Sequence, residues 1–271
     1  MDLQDIKKLA RKLRITTLKM IHRGRSSHIG SNFSICEIMA VLYGSVLRLT
    51  PQTINEPDRD RFILSKGHAA AVYYAVLAEM GFFPKEWLNE FYIDGGRLAG
   101  HATKGVPGIE FSSGALGHGL SVGVGMALAG KIKSAPYRVF VVLSDGECNE
   151  GSIWEAAMLG AHHRLSNLVA IVDYNKIQAL GFTDEIVTLE PFADKWRAFG
   201  WSVREVDGHD VSQLIDNFSN CPFEEDRPSC LIAHTIKGKG VSFMENELLW
   251  HYRNPQNEEF DKALAELEES E

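Results

Sequence analysis

Two short segments carry residue types that could hold a charged ligand. One is Ser144-Asp145-Gly146-Glu147, and the other is VDYNKIQ, in which Asn175 stands 30 residues beyond Asp145. A carboxylate and a carboxamide are hard oxygen ligands, the kind that Mg²⁺ takes in ones and twos while phosphate and water oxygens complete its octahedron. Gly146 lets a backbone approach such a ligand closely, and a helix start after it offers free N–H groups and a positive dipole end to a phosphate. By itself an Asp-Gly turn after a strand is commonplace, and it is the spacing to Asn175 that adds meaning. Four of the ten histidines also stand in glycine-rich or small-residue surroundings: His28 in SSHIGSNFS, His68 in LSKGHAAA, His101 in LAGHATKG and His251 in LLWHYRNP. Neutral or protonated imidazoles can hold hydroxyls and move protons near neutral pH. His22, His162, His163, His209 and His234 read as ordinary surface or capping residues.

The elements that must position these groups follow from periodicity. Residues 2–24 have helical spacing through Leu3, Ile6, Leu9, Leu13 and Leu18. Ser34-Ile-Cys-Glu37 fits a capping box and predicts a helix from there to about Leu49. RFILS (61–65) reads as a strand, followed by a helix from Gly67 to Glu79 and another over 84–92. Residues 93–118 are glycine-rich and aperiodic, a long functional loop, and 119–130 form a small-residue helix. From Tyr137 the pattern alternates: strands at 137–144, 168–174, WSVREVDG and 229–236, with helices between them. Continuous apolar runs such as YRVFVVLS are what buried parallel strands look like. The expected fold is therefore α/β, a parallel sheet covered by helices on both faces, in which ligands bind beyond the carboxyl ends of the strands. Asp145 and Asn175 fall at two successive strand ends.

The chain has 271 residues, 45% of them hydrophobic, and a net charge of −8. That balance disfavours nucleic acid as a partner. No apolar run approaches the length of a membrane span, and the amino terminus lacks a signal core. Cys36, Cys148, Cys221 and Cys230 form no C-x-x-C pair and read as reduced thiols, so the expectation is a soluble cytoplasmic protein. No composition break divides the chain. It reads as a single domain, 1–271, with an acidic tail from about 257.

The pair of segments resembles the thiamine diphosphate motif, Gly-Asp-Gly followed about thirty residues later by Asn, in its transketolase form. The four histidines occupy transketolase contexts in family order, and the resemblance spans about residues 5–255. It implies a thiamine-diphosphate-binding fold of the diphosphate-domain type. Asp145, Asn175 and the carbonyl of Ile177 would bind Mg²⁺. His68, Gly114, Ala115, Leu116, Gly146, Asn175 and His251 would contact the cofactor. His28, His101 and His251 would hold substrate oxygens and move protons, while Glu150, and with it Glu155, would approach a two-fold axis and link two cofactors. Three positions depart from the family pattern: Ser144 for the first Gly, His118 for Gln, and Tyr252 for Gly. Tyr252 is expected to narrow the channel mouth and alter which sugar enters.

Transketolases draw the glutamate beside the aminopyrimidine from a second domain, which this sequence does not show. The resemblance therefore implies the amino-terminal subunit of a split transketolase, paired with a chain carrying the pyrimidine and carboxyl-terminal domains, in a two-fold heterotetramer acting on sugars or sugar phosphates. The alternatives are a deoxyxylulose-phosphate synthase-like or 2-oxo-acid decarboxylating subunit, or a non-catalytic subunit that keeps the cofactor fold. A nucleotide-binding dehydrogenase lacks the G-x-G-x-x-G it would need.

Overall fold

A computed structural model describes residues 1–269. Its frame is a five-stranded, all-parallel sheet formed by β1 (Arg61–Leu64), β2 (Val139–Ser144), β3 (Leu168–Tyr174), β4 (Ser202–Asp207) and β5 (Ser229–His234), in the order β1-β2-β3-β5-β4. Every residue of β2 and β3 is buried, because both sheet faces are covered. Edge strand β4 alternates between buried and exposed residues instead.

The period of two along each strand sorts the core into two layers. Phe62, Phe140, Val142, Ile171 and Leu231 face one set of helices: α1 (Leu3–Gly24), α2 (Ile29–Phe33), α3 (Cys36–Val41) and α4 (Ala70–Glu79). Ile63, Val141, Leu143, Ala170 and Ile232 face the other set, α5 (His118–Ile132), α6 (Gly151–His162) and, beyond the short α7 (Thr183–Ile186), α8 (Phe192–Ala198). Helix α9 (Val211–Ser219) joins the first layer through Leu214 and Phe218. The acidic tail is α10 (Glu258–Glu269), which is docked: Ala263 and Leu267 are buried in that layer, and Arg11 of α1 donates to the carbonyls of Leu267 and Glu268.

The expected capping box is not formed. Ser34 Oγ instead donates to the Asp173 carboxylate, and Glu37 is bound to Arg14 and His209. Helix α3 accordingly starts only at Cys36 and unwinds into a wider π-type turn at 42–46, short of Leu49. Tertiary partners here outbid the local cap. Residues 85–90 form 3₁₀ turns in place of the expected regular helix.

Candidate active site

The strands all point one way, so β1, β2, β3 and β5 deliver their next residues to one edge of the sheet. Those residues are Ser65-Lys66, Asp145, Asn175 and Thr235–Lys237. A cavity of about 280 Å³ opens there, lined among others by His28, His68, His101, His251, Asp145, Gly146, Asn175 and Ile177. Gly114 and Leu116 also line it, whereas Ala115 between them is exposed and does not. Of the expected groups, Glu150 and Glu155 are not brought to this cavity. They lie exposed at and after the start of α6.

The four histidines form one cluster. Ring centroids lie 5.1 Å apart for His28 and His68, 6.2 Å for His28 and His101, 5.0 Å for His28 and His251, and 6.0 Å for His68 and His251. His28 has φ of +70° at the start of α2, a left-handed conformation that side chains resist. It is held there because its N–H donates to the His251 carbonyl and its own carbonyl accepts from Asn32. Burial, then neighbouring His101, Lys237 and Lys66, push the His28 pKa down to about 4. Burial and Lys237 push His251 down to about 3, and burial with Lys66 lowers His68 well below its ordinary value. The imidazoles of His28, His68 and His251 are thus neutral at neutral pH, each with one donor and one acceptor to offer.

The oxygen donors converge through backbone geometry. Asp145 is 1% exposed and accepts from the N–H groups of Gly146 (2.7 Å) and Lys176. Lys176 sits at φ +66°, and Asn175 and Ile177 on either side of this left-handed step both line the cavity. The Asn175 amide donates to Asp173 (2.9 Å) while its oxygen accepts from Ile177 N–H (3.1 Å). Burial, with the Asp173 carboxylate second, holds the Asp145 carboxyl above the ordinary carboxylate range. A cation would relieve that cost. Hard oxygens on one wall facing Lys237 and neutral imidazoles on the other suit a metal-bridged diphosphate. Among the described residues no cluster of three His, Cys, Asp or Glu side chains could hold a metal ion, so the ligand's own oxygens would have to complete the shell.

The model of the transketolase thiamine diphosphate binding domain matches residues 6–265. The chain belongs to the transketolase family. It is 41% identical over 269 residues to a protein of Phocaeicola vulgatus named as a subunit of apulose-4-phosphate transketolase, covering 99% of this chain and 96% of that one. It is 42% identical over 268 residues to the 6-deoxy-6-sulfo-D-fructose transketolase subunit SqwG of a Clostridium species, covering 98% and 96%. Among solved structures, transketolase from Campylobacter jejuni superposes with a TM-score of 0.92 at 26% identity, covering 99% of this chain and 43% of that one. Transketolase from Leishmania mexicana gives 0.89 at 28%, covering 97% and 41%.

Several groups of this transketolase chain escaped the sequence reading. Lys237 is 1% exposed, and its ammonium donates to the Ile177 carbonyl (2.7 Å) and meets His251 Nδ1 at 2.9 Å. Burial lowers its pKa. Lys66 and Asp173 form an ion pair with both side chains fully buried. Glu147, fully buried, accepts from Ser65 Oγ and from the N–H groups of Gly117 (2.9 Å) and Ser144 (3.2 Å), tying the ends of β1 and β2 to the start of α5. The available signal was positional, because each of these residues stands at or just beyond a strand's carboxyl end. Two glycines are sterically required. A Cβ on Gly67 would lie 2.6 Å from the Ser113 backbone, and one on Gly117, at φ +87°, would lie 2.5 Å from Ser152 Oγ. Tyr252 is about half exposed and does not itself line the cavity, but its hydroxyl donates to the carbonyl of Ala179, which does. Ser144 lines the cavity and its hydroxyl accepts from Glu147 N–H, and His118 lies exposed in the first turn of α5.

Proposed function

We propose that this chain, folded as a single domain, is the diphosphate-binding half of a two-chain transketolase. It would transfer a two-carbon ketol unit from a ketose donor to an aldose acceptor with thiamine diphosphate and Mg²⁺. The observation that carries the reading is the convergence of Asp145, Asn175, Ile177 and four histidines on one cavity, in a chain matched end to end by proteins named as transketolase subunits. Those names support a partner subunit, which in this reading carries the pyrimidine domain, and a two-fold heterotetramer is the assembly that would place Glu150 at a shared axis. The relatives are named for a ketose phosphate and a sulfonated ketose, which supports a donor ketose with an anionic end. No helix among the described residues is long and apolar enough to cross a membrane, and we place the enzyme in the cytoplasm.

When bound, the cofactor supplies the electron sink for cleaving the bond beside the ketose carbonyl. The protein's part is positional. Asp145, Asn175 and the Ile177 carbonyl would hold the metal, and Lys237, His68 and His251 the diphosphate oxygens. His28 and His251, neutral at neutral pH, would with His101 accept hydrogen bonds from donor hydroxyls and donate to oxygens that gain charge. Asp145→Ala tests the arrangement. Calorimetry of the chain with its partner should show Mg²⁺-dependent binding of thiamine diphosphate for wild type and none for the variant. Equal affinity would overturn the metal assignment.

A further inference from the structure

A second cavity, of about 250 Å³, lies beside the first and is separate from it. Segment 235–240 is the partition: Lys237 lines the first cavity, while Lys239 and Gly240 line the second. The opposite walls come from α1, the start of α3, the turn between β4 and α9, and Leu267 of α10.

The charge lining this cavity runs against that of the chain, which carries −8. Lys7, Arg11, Arg14 and Lys239 face it with a single carboxylate, Glu37. Glu37 is already satisfied. It accepts from Arg14 at 2.5 and 2.6 Å and from His209 Nδ1 at 2.9 Å. His209 Nε2 accepts from Ile236 N–H at 2.8 Å, so both of its ring nitrogens are in use. Lys239 is paired with Glu245 at 3.3 Å. Two cations remain. Among the described residues Arg11 donates to the Leu267 and Glu268 carbonyls and meets no carboxylate. Lys7 has no salt bridge among the described residues. Asp210 feels Lys7, but its carboxylate accepts from the N–H groups of Ser212 (2.9 Å) and Gln213 (3.1 Å). The donors also outnumber the acceptors, since Arg14 Nε is buried with no hydrogen-bond partner.

We propose that this cavity is a binding site for a small phosphate-bearing anion, held by Lys7 and Arg11 with the Glu245-paired Lys239 beside them, distinct from the cofactor cavity. Its size admits inorganic phosphate or a small phosphate monoester, and a concave wall of cations focuses its field on such a ligand. The occupant would rest against the segment that carries Lys237 to the active site.

The test is a titration of the ¹⁵N-labelled full chain with inorganic phosphate, and separately with glycerol phosphate, at ionic strength held constant by chloride. Backbone amide signals of Val211 and Gly240 should move saturably with at least one of the two probes, and the tighter probe tells free phosphate from monoester as the source. Lys7→Glu is exposed on α1 and leaves the fold intact. It should raise the half-saturating concentration at least tenfold, as should Lys239→Gln. Shifts confined to Asn175 and Ile177, shifts linear in concentration with both probes, or unchanged saturation in Lys7→Glu would each overturn the proposal.

Discussion

Asp173→Asn isolates the one buried charge pair beneath the cavity floor. Asp173 and Lys66 are each fully buried, and the carboxylate also accepts from Ser34 Oγ (2.7 Å), Thr235 Oγ1 and the Asn175 amide (2.9 Å). Burial alone would raise its pKa, but the Lys66 ammonium and the two hydroxyls outweigh it and hold the carboxyl below its ordinary value. Asparagine keeps the shape and removes the charge, leaving the Lys66 ammonium buried without an anion. Breaking a buried pair from one side costs about 3–5 kcal/mol. At about 1.4 kcal/mol per decade, that is roughly two to three and a half decades in the folding equilibrium. For a domain of this size it corresponds to a fall of about 6–20 °C in Tm. Scanning calorimetry and urea unfolding of Asp173→Asn, Lys66→Met and the double variant would measure it. The double variant should be more stable than the sum of the two single losses predicts, because neither charge is then left alone. A single-variant cost below about 1 kcal/mol, or strict additivity, would refute the buried-pair reasoning.

Two further outcomes are expected. Replacing Tyr252 by Gly removes the hydrogen bond from its hydroxyl to the carbonyl of the cavity-lining Ala179. In the reconstituted complex it should change the ratio of kcat/KM values across a panel of ketose donors by about tenfold, with Tyr252→Phe intermediate, and unmoved ratios would remove Tyr252 as a selectivity element. His28 should titrate by NMR near pH 4. A histidine whose folded pKa is depressed contributes stability that is whole above its unfolded pKa of about 6.5 and is lost as pH falls from there toward 4. His28→Gln should therefore lose less stability than wild type between pH 7 and 4.5, and equal losses would contradict the burial of a neutral imidazole.

The sheet was legible because its inner strands announce themselves: VFVVLS and LVAIVDY run without a polar residue until Ser144 and Asp173 near their carboxyl ends. The alignment of Asp145 with Asn175 could be read from one helix and one strand of spacing. What stayed hidden depended on contacts distant in sequence. Ser34 reads locally as a cap, yet it serves Asp173, 139 residues away. Lys66 and Lys237 look like surface lysines until the fold buries them against Asp173 and the Ile177 carbonyl. The acidic tail looks like a solvated face because the apolar stripe that docks it, through Ala263 and Leu267, is narrow. Glu150 and Glu155 are exposed in the single chain, so their expected place at a two-fold axis can be tested only in the assembly.

The most direct measurement mixes this chain with the chain that carries the pyrimidine domain, in the presence of thiamine diphosphate and Mg²⁺. Transfer of a two-carbon unit from a ketose phosphate to an aldose is then followed. The account predicts steady turnover for the mixture, none for either chain alone, and none when Asp145→Ala replaces the wild-type chain. Steady turnover by this chain alone, or undiminished turnover with Asp145→Ala, would contradict it.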